Sequence, residues 1–213
     1  MEQFIFNDAN VGAFIRKGDE ARPALYSTAK PEKLVSCVMV TRGNLNILRH
    51  SVNCFLNQSY QNRELVVVLR KTSPEVESYF SEVKENALVP IRVFVAPGTL
   101  SLGDRRNMSI ARSQGVFICT WDDDDLHHPR FLEFMVGYIM ANRVGAAFLN
   151  QLTIWWPARK RFAHSKLHYW EQTMVARRGL VPIYPDSPKR EDTFVKTAIA
   201  QQHLVALVVA PHL

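Results

Sequence analysis

Four short apolar runs, separated by segments of helical period, constrain this chain more than any other feature. Leu34–Val40, Glu64–Leu69, Ile91–Val95 and Val116–Trp121 are rich in β-formers and largely continuous rather than alternating. Such runs suit strands covered on both faces, as in parallel sheets. Between the first two, Leu45, Leu48, Val52, Phe55 and Leu56 recur at spacings of three and four, which marks a helix with one buried face. Thr72-Ser73-Pro74-Glu75 opens a second helix, with Thr72 and Glu75 at capping-box spacing and Pro74 in the first turn. Ser101 caps a third, running to Gln114 and ended by Gly115. This alternation predicts an α/β fold: βαβ units on a mostly parallel central sheet, with right-handed crossovers and helices on both faces.

The pattern changes after Pro129. A helix reaches about Asn142, and Gly145–Gln151 and Leu152–Trp156 read as strands. Arg159-Lys160-Arg161 reads as a basic turn, and Thr173–Arg177 as another short strand. A proline-rich loop (Pro182, Pro185, Pro188) precedes a helix from Lys189-Arg190-Glu191-Asp192 to about Gln202, and Leu204–Ala210 is a last strand. The expected organisation is an N-terminal extension, residues 1–33, followed by one domain over 34–213 whose second part is a smaller mixed region. With 213 residues and 47% hydrophobic content, one sizeable core is affordable.

The net charge of +6 favours an anionic partner, although solubility alone accounts for a charge of this size. The basic residues are scattered rather than gathered on one module, which argues against nucleic acid. Cys37, Cys54 and Cys119 are odd in number, lie in apolar elements and lack any Cys/His metal spacing. They read as reduced core residues, which points to the cytoplasm. The first residues have neither a basic start nor a long apolar core, so no signal peptide is expected, and Leu204–Ala210 is too short to span a bilayer.

Chemistry concentrates at Asp122, Asp123, Asp124 and Asp125, directly after the fourth apolar run. Ligands of open α/β sheets bind beyond the carboxyl ends of strands, and hard cations such as Mg²⁺ or Mn²⁺ take carboxylate oxygens. Taken alone, the run reads equally well as a solvated turn capping the next helix. Glu191 and Asp192, at a helix start, are either simple helix-end anions or a general base for an acceptor hydroxyl. His127-His128 read as solvent-facing more readily than as metal ligands. Trp155-Trp156 and Tyr169-Trp170 are core aromatics or sugar-stacking platforms. Arg159-Lys160-Arg161 and Arg177-Arg178 are solvated charge or a contact for a phospholipid-linked acceptor or an anionic membrane surface.

Several of these segments carry a resemblance. Val35–Thr41, Gln58-Ser59-Tyr60 and Glu64–Val68 look like the opening of the family 2 glycosyltransferases. Gly103-Asp104-Arg105-Arg106-Asn107, Ala111 through Ile118, and the Asp run with Pro129 are similar to that family's central block, and Glu191-Asp192 to its acidic pair. The resemblance covers roughly residues 34–210. It implies a GT-A (Rossmann-like) fold with a nucleotide-sugar half at about 34–128 and an acceptor half at about 129–213. It also implies a nucleotide-diphosphate sugar donor, a hydroxyl acceptor (saccharide or lipid-linked) and Mg²⁺ or Mn²⁺ at a DXD motif. By position that motif falls on Asp122 and Asp124, with Asp123 as a donor-side neighbour. Asp192, with Glu191 beside it, matches the base of an inverting displacement, and Arg106 the family's arginine near the nucleotide. The chain departs from the family at Leu69-Arg70, where an aspartate usually meets the base, and at Thr41-Arg42. Thr41, Arg42 and Arg70 are therefore expected to contact the donor, the two arginines through its phosphates. The end at Pro211-His212-Leu213, before the family's His-containing segment, reads as a C-terminally truncated member. The rivals are a nucleotidyltransferase, which also sets carboxylates at strand ends, and an inactive homologue serving as a binding module.

Overall fold

The computed structural model describes residues 33–187, 190–201 and 205–210; the N-terminal extension through residue 32 and the last three residues lie outside the described residues. The first half follows the expected alternation. Strands β1 (Val35–Thr41), β2 (Arg63–Leu69), β3 (Ile91–Val95) and β4 (Phe117–Thr120) alternate with helices α1 (Leu45–Leu56), α2 (Pro74–Asn86) and α3 (Leu102–Ala111). Helix α4 (Phe131–Ala141) leads to β5 (Ala146–Leu149), then β6 (Thr153–Trp156), β7 (Arg161–His164) and β8 (Val175–Arg177). Helix α5 (Glu191–Gln201) and β9 (Val205–Val208) complete the order.

Seven strands form one sheet in the order β3-β2-β1-β4-β8-β5-β9, with every pairing parallel except the two made by β8. One sheet face buries Cys37, Met39, Leu65, Val67 and Cys119 against α1, α2 and α4. The opposite face buries Val38, Val66 and Ile118, and farther along Phe148 and Ala176, under Ile110 of α3 and Val195 and Ile199 of α5. Helices thus cover both faces, and the continuous apolar patterning of β1 and β2 is explained. The three cysteines are free thiols, Cys37 and Cys119 fully buried as register partners on β1 and β4.

Local physics moved several expected boundaries. Ser73, not Thr72, caps α2, its side chain accepting from the Val76 N–H. Helix α3 stops at Ala111 rather than Gln114: the Arg112 and Ser113 amides close its last turn onto Met108 and Ile110, and the two that follow are taken elsewhere. Gln114 N–H donates to Glu64 Oε1 (2.7 Å) and Gly115 N–H to Ser36 Oγ (2.8 Å). Glu64 is buried, and Ser36 and Arg92 (Nη2 at 2.6 Å) also bind it, so its charge is fully compensated. A Cβ on Gly115 would lie 2.6 Å from the Ser36 backbone nitrogen, which makes glycine the fitting residue there. Arg159-Lys160-Arg161 is more than a turn. Arg161 opens β7, which pairs antiparallel with β6 in a two-stranded ribbon separate from the main sheet.

Candidate active site

Strands β1, β4 and β5 run in the same direction, so their carboxyl ends open on one edge of the sheet. At that edge β4 is followed by Trp121, which is fully buried and organises the acidic run behind it. The Trp121 indole N–H donates to the Ser51 carbonyl (3.1 Å), and Ser51 Oγ donates to the Asp122 carbonyl (2.8 Å). Helix α1 therefore holds the backbone on which the carboxylates stand. Thr41, ending β1, donates its hydroxyl to Asp123, and the Gly43 N–H donates back to Thr41 Oγ1 (3.0 Å). Gly43 adopts φ 81°, a left-handed conformation that glycine takes at no steric cost.

His127 and His128 are not solvent-facing as expected; both are buried. The His127 ring lies 4.0 Å from the Trp121 ring and 4.6 Å from Phe131 between centroids, a core aromatic rather than a ligand. Burial lowers its pKa to about 3, so it is neutral at physiological pH. The His128 carbonyl accepts from Gln58 Nε2 (2.7 Å), while Gln58 Oε1 accepts from the Leu132 N–H (3.0 Å). That clamp fixes the start of α4 against the end of α1.

The carboxylates themselves are electrostatically loaded. Burial, then the charges of Asp122, Asp124 and Asp123, pushes Asp125 up to about 7. Asp122 and Asp123 are also raised, burial being the largest cause in each. Arg106 partly offsets this at Asp122, and the Thr41 hydroxyl and Arg42 at Asp123. Among the described residues no group of three or more His, Cys, Asp or Glu side chains is arranged to hold a metal. Two carboxylates from a mutually repelling set do fit a hard divalent cation that completes its shell with water and substrate oxygens.

Helix α3 explains the Gly103–Asn107 block residue by residue. A Cβ on Gly103 would sit 2.2 Å from the Pro185 carbonyl oxygen, so the incoming loop requires glycine. Asp104 and Ser101 form a reciprocal capping box. Arg105 donates to the Leu100 carbonyl, and burial followed by the nearby charges of Arg70 and Arg42 lowers its pKa. The arginines after β1 and β2 are thus near enough for their charges to be felt at Arg105. Asn107 pairs with the Tyr184 backbone in both directions, at 2.8 Å each.

Arg106 is the centre of the site. Its Nη2 lies 3.5 Å from Asp122 Oδ1, its Nε lies 3.6 Å from Glu191 Oε1, and its guanidinium sits 5.6 Å from the Tyr184 ring centroid. Burial alone would lower its pKa, but Asp122, Tyr184, Glu191 and Asp192 together raise it. Both carboxylates stand beyond good hydrogen-bond range, and the buried Nε has no hydrogen-bond partner. One guanidinium thus joins the two acidic clusters that lie far apart in sequence. Asp192 is close enough to raise Asp122, and its Oδ1 accepts from the Thr193 N–H (2.7 Å). Tyr184 was not singled out from the sequence; its only signal was an aromatic between Pro182 and Pro185 in the proline-rich loop.

Residues 36–188 match the family model described as glycosyl transferase family 2. The chain belongs to glycosyl transferase family 2. No curated protein matches it. Among solved structures, Staphylococcus aureus TarS in complex with UDP-GlcNAc superposes with a TM-score of 0.69 at 13% identity, over 83% of this chain and 56% of that one. The mannosyltransferase PcManGT from Pyrobaculum calidifontis, in complex with GDP-Man and Mn²⁺, gives 0.68 at 15% identity, over 94% of this chain and 64% of that one. At such identities the likeness speaks to the fold, which is GT-A. The family 2 chain spans roughly three fifths of the length of these structures.

The other expected positions separate. Tyr169 packs edge-on against Phe148 (6.0 Å) in the core, whereas Trp155 and Trp156 stay exposed on the ribbon. Arg177 and Arg178 lie at the opposite edge of the sheet, Arg177 across from Phe117 at the start of β4. Arg178 there donates to the Ser113 carbonyl (2.7 Å). They form no common patch with Arg159–Arg161. No helix among the described residues is long and apolar enough to cross a membrane.

Proposed function

We propose that this chain is an inverting glycosyltransferase that moves a sugar from a nucleotide-diphosphate sugar to an acceptor hydroxyl, using Mg²⁺ or Mn²⁺. Arg106 carries this reading: a buried guanidinium, with a donor left unbonded, sits between the strand-end carboxylates and the acidic start of α5. Asp122 and Asp124 would hold the metal, with Asp123 kept in place by Thr41. When bound, the cation supplies Lewis-acid neutralisation of the charge on the departing nucleoside diphosphate. Arg106 sets a positive charge beside Asp122 that favours the donor's diphosphate, and Arg42 and Arg70, whose charges reach Arg105, receive the anionic end of the donor. Asp192 takes the proton from the acceptor hydroxyl as that oxygen attacks the anomeric carbon from the face opposite the leaving group. Glu191 is a positioning residue that keeps Arg106 turned toward Asp122. In this reading residues about 34–128 form the donor half and about 129–213 the acceptor half, after an extension at 1–33.

The test is nucleotide release from UDP- and GDP-sugars with Mn²⁺. Asp192→Asn should reduce turnover by about 10²–10⁴-fold, the usual worth of a general base, while donor binding persists. Unchanged turnover in that variant would remove Asp192 as the base, and donor binding with no turnover in the unaltered chain would favour a binding module. Tight triphosphate binding with no diphosphate-sugar binding would favour a nucleotidyltransferase.

A further inference from the structure

The β6–β7 ribbon stands outside the main sheet and is used by nothing described so far. Its register pairs Trp155 with Phe162 and Trp156 with Arg161. Side chains alternate along a strand, so the two tryptophans face opposite sides of the ribbon. Both are exposed, at 37% and 43%, and Leu167 on the returning segment is 70% exposed. Arg159 and Lys160 form the tip, with Arg161 just inside it. Between Glu133 and Glu171 the chain has no acidic residue and five Lys or Arg. A saccharide platform would present aromatics on one face with carboxylates beside them to accept hydroxyl protons. Here the aromatics lie on both faces, and no carboxylate from that stretch accompanies them. Amphipathic tryptophans around a basic tip match the boundary of an anionic bilayer, where indoles settle at headgroup level and cations meet phosphate.

The ribbon is also wired to the site. It leaves from the carboxyl end of β5, at the edge that bears the acidic run, and returns through His168 N–H to the Asn150 carbonyl (2.9 Å). The next element carries Glu171, whose Oε1 pairs with Lys196 Nζ (2.5 Å) and accepts from Thr193 Oγ1 (3.2 Å), beside Asp192 on α5. Arg177 and Arg178, at the far edge, cannot face the same surface.

We propose that the β6–β7 ribbon docks on an anionic phospholipid bilayer and holds the catalytic edge against it, so that the acceptor hydroxyl is presented from the membrane. The acceptor half of this statement rests on the glycosyltransferase reading; the docking does not. The test is cosedimentation of the full chain with phosphatidylcholine vesicles, with and without phosphatidylglycerol. Binding is expected only to the anionic vesicles, falling as salt rises. Replacing the tip residues together (R159S, K160N, R161S) should weaken it about a hundredfold, since each basic residue near such a surface contributes about 1 kcal/mol. W155A with W156A should weaken it about tenfold and abolish the vesicle-induced blue shift of tryptophan emission. Thermal stabilisation by GDP or UDP with Mn²⁺, measured without vesicles, should be unchanged in both variants, which shows that they fold. Equal binding to neutral vesicles, or unchanged binding by the tip variant, would overturn the proposal. So would an emission shift with neutral polysaccharide but none with anionic vesicles. Loss of nucleotide binding with vesicle binding intact would count against the transferase reading alone.

Discussion

At the scale of single residues, two groups set the electrostatics of the edge that bears the acidic run, with opposite consequences. Arg106 is held by acids on both sides, so Arg106→Ala leaves Glu191 buried and uncompensated. The expected cost is about 3 kcal/mol in urea unfolding, the lower end for removing one partner of a buried pair because both contacts are long. Arg106→Lys should recover part of the stability but not nucleotide affinity, since an ammonium cannot face two oxygens from a planar fork. His127 works the other way. Its folded pKa of about 3 lies below the usual 6.5, so only the unfolded chain takes up a proton between those values. Stability contributed by neutral His127 is complete above about pH 6.5 and drains away as the pH falls toward 3. His127→Phe, stacked on Trp121 with no ring hydrogen bond to lose at Nε2, should flatten the melting temperature across that window. An unchanged acid limb would show that other groups govern it.

At the scale of elements, α3 serves two neighbours at once. Gly103 and Asn107, one turn apart, seat the loop that carries Tyr184, and Arg106 between them reaches across to β4 and α5. Gly103→Ala should therefore do more than lower helix entropy. The new methyl meets backbone, not a movable side chain, so the expected loss is about 1–3 kcal/mol together with weaker nucleotide binding as Tyr184 is displaced. Thermal shifts with and without nucleotide separate the two effects. This block was visible in the sequence as a resemblance, but its reasons were not. Spacing within a helix says which residues share a face; it does not say which distant loop will lie on that face. The same holds for β8. Three residues, Val175–Arg177, were readable as a short strand, yet their antiparallel insertion between β4 and β5 depends on a return path through a ribbon whose second strand reads as charge alone. The strands buried on both faces were legible because their whole environment is apolar; the four aspartates stood out as adjacent like charges, a pattern that a solvated turn and a cation site share. His127 was not, since a polar ring buried by stacking leaves no periodic trace.

At the scale of the whole molecule, the sheet has a seam. Strands β3, β2, β1 and β4 come from one continuous stretch of chain and pair with one another in parallel, whereas among the described residues β5 and β9 join them through β8. Native-state hydrogen exchange should reveal this division: amides of β1 and β2, with both neighbours formed locally, should open last, and those of β5, β8 and β9 earlier as a group. Uniform protection across the sheet would argue against it. The seam also sets an order of assembly. During synthesis the first four strands can close around α1 and α2 while the outer edge of β4 still lacks its neighbour, because that neighbour emerges only after the ribbon. Until then β4 presents open backbone donors and acceptors next to four aspartates, whose mutual repulsion discourages another nascent chain from adding there. The charges proposed to hold a cation in the finished protein would thus act earlier as a guard on an unfinished edge.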